Sequence, residues 1–397
     1  MRYSRIDRKD RELTSPLLTK AFVSLFVQNF FILTAINVLN VLPDHFATIG
    51  ASKTYIGLYM NITSLVMVAL AIPLSDHADR FGRKRLIMWG YATALIAFAG
   101  SFLLSEHLVI LVFLRAISGF IFCLAFTVQT AEMFGLLPRS RRFSGMAIYG
   151  ISGLVANPFG SFIGELINGS IGARWLFIAA FAFTVLGFIP AISHRFHERA
   201  AEDPKSEYFI DLVKRKELRP LFAFSFLLGS AYAVFATFLV NLTRERLGIP
   251  TISSFFASFS AVAIFIRLFL GKHLERISPR TIIAVCFPLE ATAFALCFVL
   301  RSAAMLPVIG VIYGIGHSIM WPLVSSLFVN SGTDTDRLGL NNLYSSINQA
   351  GGIAAAVIMG AIADAAGLPV IFFIMAVLSL AMVPLSLIGL RRTEVHS

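Results

Sequence analysis

The sequence predicts an all-α membrane protein with twelve transmembrane helices in two pseudo-symmetric six-helix bundles. Three observations predict it. The first is composition: of 397 residues, 57% are hydrophobic and 14% charged, 38 are Phe, and the mean hydropathy is +0.79. Soluble chains carry about 25% charged residues. A soluble globule cannot hide so much apolar surface, whereas a bilayer accepts helices of about 20 apolar residues whose backbone groups are paired internally. The second is patterning, because the apolar residues come in runs of that length between short polar links. The third is repetition: Ser75 and Asp79 recur as Gly271 and Glu275, both 196 residues on, and Gly119 recurs as Gly314, 195 residues on.

Residues 1–20 are polar and basic. Span 1 is expected over residues 21–42, ended by Pro43 and Asp44. Spans 2 to 6 follow at 55–74, 86–104, 108–133, 143–167 and 173–192. The composition then changes: residues 194–219 hold seven Lys and Arg with four Glu and two Asp, and this stretch reads as a linker between halves 1–193 and 220–397. Spans 7 to 12 are expected at 220–242, 252–270, 281–300, 305–329, 340–363 and 368–390.

Charge orients the chain. With the odd-numbered connections outside, the outside set holds only Lys53, Arg174, Arg244, Arg246 and Arg301. Arg115 and Arg267 fall inside spans, and the other 26 of the 33 Lys and Arg lie inside with both termini. Short basic loops stay cytoplasmic, so a bacterial cytoplasmic (inner) membrane with both termini inside is expected. The same distribution explains the net charge of +11 without a nucleic-acid footprint. Cys123, Cys286 and Cys297 sit within apolar runs without metal-ligand spacing, so neither a metal nor a cofactor is expected. No cleavable signal peptide is read at the start, because the first apolar run continues as a span.

Residues 75–85, SDHADRFGRKR, link spans 2 and 3. The stretch resembles the loop between helices 2 and 3 of the major facilitator superfamily, Gly-x-x-x-Asp-Arg/Lys-x-Gly-Arg-Lys. Asp79, Arg80, Gly82, Arg83 and Lys84 match, and Ser75 replaces the usual Gly. The second copy keeps Gly271, Glu275 and Arg276 but loses the Gly-Arg-Lys end. Span 5 resembles the motif of the family's drug- and sugar-efflux proton antiporters, Gly-x-x-x-Gly-Pro-x-x-Gly-Gly. Gly153, Pro158 and the small Ser161 fit it, while Asn157 and Phe162 depart. The resemblance implies a monomeric alternating-access transporter that exports a small organic molecule against protons. Proton-coupled uptake of a solute or metabolite on the same fold is the alternative, and a channel is the rival from another class. An enzyme is not expected: the His residues are isolated and no nucleotide-binding loop is present.

The resemblance also assigns residues. Arg115, with Gly119 four residues on, matches the family Arg of span 4, and an intramembrane Arg needs a partner or water. Spans 1, 4, 7 and 10 would line the cavity, and spans 3, 6, 9 and 12 would support it. Candidate substrate or coupling residues are therefore Asn29, Asn37, Asn40, Arg115, Tyr232, His317 and Trp321, with Tyr344 and Asn348 of span 11 as further polar edges. The asparagines either line the cavity or join helices. His317 either exchanges protons or packs. Glu290 is set aside because it lies on span 9, and Asp44 and Glu165 are read as hydrated ends. Gating falls to Asp79, Arg80, Gly82, Arg83, Glu132, Glu275 and Arg276, with Arg83 expected to pair with Glu132.

Overall fold

The computed structural model describes residues 19–137, 142–196, 218–274, 277–332 and 337–389, with 212, 214 and 215 between them. For residues 71–80, 126–127, 142–144, 147, 271–272, 337–339 and 387–389 it describes the backbone alone. The described residues are all-helical, and ten of their helices are long and apolar enough to cross a membrane. Leu108–Leu124 is a shorter apolar helix. Most of the linker (197–211, 213, 216 and 217), both termini, Glu275 and Arg276 lie outside the described residues, as do the side chains of Asp79 and Arg80.

Caps and breakers set the ends. Thr19 accepts the Phe22 N–H at the start of span 1, and Ser52 accepts the Tyr55 N–H at the start of span 2. Ser278 opens span 9 with Pro279 behind it, where a missing N–H costs nothing. Gly248 ends span 7 at φ +75°, a conformation most side chains disfavour.

Two expectations about ends are corrected. Pro43 and Asp44 do not terminate span 1. Helix Lys20–Asn37 passes through a 3₁₀ turn, Val38–Val41, into Leu42–Thr48, with Pro43 in the first turn where proline is tolerated. Residues 75–85 do not form an extended link either: Lys53–Phe81 and Arg83–Leu103 meet at the single residue Gly82, at φ +82°. The motif glycine is thus the turn itself.

In the first half, span 1 packs on spans 5 and 6, span 4 on spans 2 and 3, and span 3 on span 6. In the second half, span 7 packs on span 11, span 8 on span 10, and span 9 on spans 10 and 12. The halves meet along spans 2 and 11 and along spans 5 and 8. The first seam is backbone-close: a Cβ on Gly57 would lie 2.1 Å from the Ala356 carbonyl oxygen. The second half is centred on stacked rings, with Phe235 4.5 Å from both Phe294 and Tyr313. Trp89, Ile96, Leu103, Val109 and Phe113 stand exposed on the periphery, which suits hydrocarbon and not water. The chain is an integral membrane protein.

Candidate functional site

The face bearing the odd-numbered connections is held shut by a two-fold set of contacts between the halves. At the end of span 5, Glu165 accepts the N–H groups of Ile252 (2.5 Å) and Ser253 (2.6 Å). It also accepts the hydroxyls of Ser253 (2.7 Å) and Thr251 (3.2 Å). A helix start leaves such N–H groups unpaired and carries partial positive charge, so a carboxylate from a neighbouring helix is a strong cap there. Asp364, at the end of span 11, repeats the arrangement on span 2. It accepts the Lys53 and Thr54 N–H groups (2.6 and 2.9 Å) and the Thr54 hydroxyl (2.7 Å). Both the acids, 165 and 364, and the caps, 53 and 252, are 199 residues apart, so the gate follows the internal repeat.

Span 1 meets span 7 between these caps. Asp44, 1% exposed, pairs with Arg244 through Nε and through Nη2 at 2.8 Å, and accepts from Asn168. Asn241 donates to the Pro43 carbonyl at 2.8 Å, and Lys53 lies 3.4 Å from Glu245. Asp44 and Glu165, read from the sequence as hydrated ends, are interface residues. Their partners lie about 200 positions away, and only folding of one half against the other brings them together.

Deeper, further hydrogen bonds cross the interface: Asn61 to Thr237 at 3.0 Å, Asn157 to the Tyr232 hydroxyl at 2.7 Å, and Gln349 to the Met67 sulfur at 3.3 Å. The Tyr232 ring stacks against His317 with centroids 6.0 Å apart and planes at 25°. His317 Nδ1 in turn lies 3.0 Å from Glu290 Oε1 and 3.0 Å from the Tyr313 hydroxyl. His317 is 3% exposed and Glu290 0%. Glu290 Oε2 has no hydrogen-bond partner among the described residues. Gly316 makes room for the acid, since a Cβ there would sit 3.2 Å from its Cγ and 2.8 Å from the Cys286 carbonyl oxygen. Setting Glu290 aside because of its place on span 9 overlooked this pairing: it faces span 10, not lipid. Trp321 lies 6.1 Å from the imidazole and 5.7 Å from the Tyr344 ring.

The other candidates are placed as follows. Asn29 donates to Ser152 (2.7 Å), and Asn40 to Ser161 (3.2 Å) and to Asn37 (3.3 Å), so these asparagines join span 1 to span 5. Tyr344 donates to the Trp321 carbonyl and Asn348 to the Ser225 carbonyl, tying span 11 to spans 10 and 7. Arg115 lies over the Tyr59 ring at 5.8 Å. Sequence reasoning missed Gln129, which donates to Gln28 at 3.0 Å from a π-helical turn, Ala125–Gln129. A second such turn, Ile266–Leu270, carries Arg267.

On the opposite face, Arg83 lies 3.3 Å from Glu132, both buried, as the resemblance implies. Span 5 packs on both span 8 and span 1. An added Cβ on Gly150 would meet Arg267 of span 8 at 2.8 Å, whereas Gly153, Gly160 and Gly164 face span 1, where added Cβ atoms would meet Leu33, Thr34 with Asn37, and Val38. Pro158 lies within the continuous helix Arg142–Ser170.

The profile of the Major Facilitator Superfamily matches residues 23–303 and 274–397. Among solved structures, the nucleoside transporter NupG is similar with a TM-score of 0.78 at 14% identity, covering 93% of this chain and 99% of its own. The human organic anion transporter MFSD10 (TETRAN) follows with 0.68 at 17%, over 94% and 100%. A bacterial homologue of the human lysosomal transporter Spinster, in an inward-facing and occupied conformation, gives 0.76 at 16%, over 95% and 98%. At these identities the likeness is one of fold.

Proposed function

The chain belongs to the major facilitator superfamily, and from that premise we propose that it takes up a small organic solute together with protons, as a twelve-span monomer with two six-helix bundles in a bacterial cytoplasmic membrane. Solute transport by alternating access is what the fold performs. The finer reading of proton coupling is carried by one observation, the membrane-buried pair His317 and Glu290. In hydrocarbon a bare carboxylate is costly. One proton shared between imidazole and carboxylate leaves the pair neutral, and a second makes it cationic. His317 stacks on Tyr232, whose hydroxyl is bonded to Asn157 of the other half. Protonation and the packing of the two halves therefore act on the same few atoms.

Arg115 does not serve as the titrating group, because a guanidinium stays charged throughout the physiological range. The clamp of Glu165, Asp364 and Asp44 holds the expected outside closed. Uptake is preferred to export because Gly153, Gly160 and Gly164 of span 5 pack on span 1, and only Gly150 meets span 8, at Arg267. Export keeps the support of the matches at Gly153, Pro158 and Ser161. Purified protein in liposomes, screened for solute exchange and then given a pH gradient, separates the two. Uptake predicts accumulation in the compartment opposite the acid. Accumulation on the acid side would mean antiport, and indifference to pH would remove proton coupling.

A further inference from the structure

Arg115 is 3% exposed, and neither its Nε nor its Nη1 has an acceptor among the described residues. The other cations of the interface and latch are matched: Arg244 by Asp44, Lys53 by Glu245 and Arg83 by Glu132. Arg267 is only partly buried. Arg115 belongs to a close register between spans 4 and 2. Tyr55 donates to the Leu108 carbonyl at 2.7 Å, Arg115 covers Tyr59, a Cβ on Gly119 would lie 3.0 Å from the Thr63 Cα, and the Cys123 thiol faces the Met67 carbonyl. This register holds the guanidinium in place. The Tyr59 ring is backed by Phe46 at 4.8 Å. Asp44, two residues before Phe46, is taken up by Arg244 and Asn168. No acidic residue of the described chain forms an ion pair with Arg115.

A guanidinium buried without its counter-charge is strongly unfavourable. Cation–π contact with one tyrosine offsets only part of that. The missing term is a negative charge that no described residue supplies. We propose that Arg115 is the recognition point for a carboxylate on the cargo, so that the transported solute is an organic monoanion. A single positive charge matches a single negative one. A phosphate monoester, with a charge near −2 at neutral pH, would need a second cation beside it, and no second Lys or Arg on the described spans 2 and 4 shares the Tyr59 site. The proposal rests on the transport reading, but binding tests it without transport.

The experiment is thermal unfolding of the purified full-length protein with acetate, lactate or benzoate, each against its uncharged amide. At least one carboxylate should raise Tm while its amide does not. Arg115→Gln should lose that shift, and Arg115→Lys should keep part of it. Without any ligand, Arg115→Gln should unfold at a temperature equal to or above the parent's, because an unmatched buried charge is gone; a purely structural arginine predicts the reverse. A carboxylate-dependent shift that survives in Arg115→Gln, equal shifts from acids and amides, or no shift with any carboxylate in the parent would overturn the proposal. None of these outcomes depends on whether protons drive the transporter.

Discussion

Replacing Glu165 by Gln and Asp364 by Asn together should open the odd-connection face. Each carboxylate caps a helix of the other half, accepting two backbone N–H groups and at least one hydroxyl. An amide keeps an acceptor oxygen but loses the charge-assisted share, about 1–2 kcal/mol per site. The caps exist only while that face is closed, so the loss acts wholly on the equilibrium between states. Two sites give about 2–4 kcal/mol, a shift of roughly 30- to 900-fold toward the open state. Spin labels at Ile49 and Ile249, exposed residues at the two sides of this face, report it, with Cys123, Cys286 and Cys297 replaced. A distance distribution unchanged from the parent in the double variant would show that the caps do not hold the gate. Each single variant should move part of the way, because the caps are repeats of one another.

Converting His317 and Glu290 to Gln together should uncouple transport from protons. Removing one partner of a buried pair commonly destabilises by about 3–5 kcal/mol, since the other is left unmatched. The double change removes both ionisable side chains and keeps hydrogen-bonding atoms near Tyr313. Folding and solute exchange at equal pH should persist, while accumulation driven by a pH gradient should fall to simple equilibration. Gradient-driven accumulation at the parent's level in that variant would place the proton site elsewhere.

Much of this fold was legible because hydropathy, basic loops and a repeat all act locally along the chain. The Arg83–Glu132 pair also followed from a short motif, whereas the narrowing of that motif's link to a turn at Gly82 did not. The gate did not, because Glu165 and Asp364 look like ordinary acids at helix ends until the halves meet. The common spacing of 199 from Glu165 to Asp364 and from Lys53 to Ile252 was present in the sequence as a signal. Glu290 shows a different failure. An intramembrane acid is a functional hypothesis by default, and the general role given to span 9 outweighed that rule. The asparagines of span 1 were ambiguous because the same side chains suit a wet cavity or a helix seam, and only their partners Ser152 and Ser161 on span 5 show the seam.

Alternating access requires the two faces to move in opposite senses. Phe134 and Asn330, exposed near the opposite ends of spans 4 and 10, provide a second label pair. Measured beside Ile49 and Ile249 in the parent and in the Glu165→Gln, Asp364→Asn variant, the two pairs should change reciprocally: as the odd-connection face lengthens, the opposite face shortens by a matching population. Lengthening at both faces, or movement at one with the other fixed, would contradict alternating access in this protein.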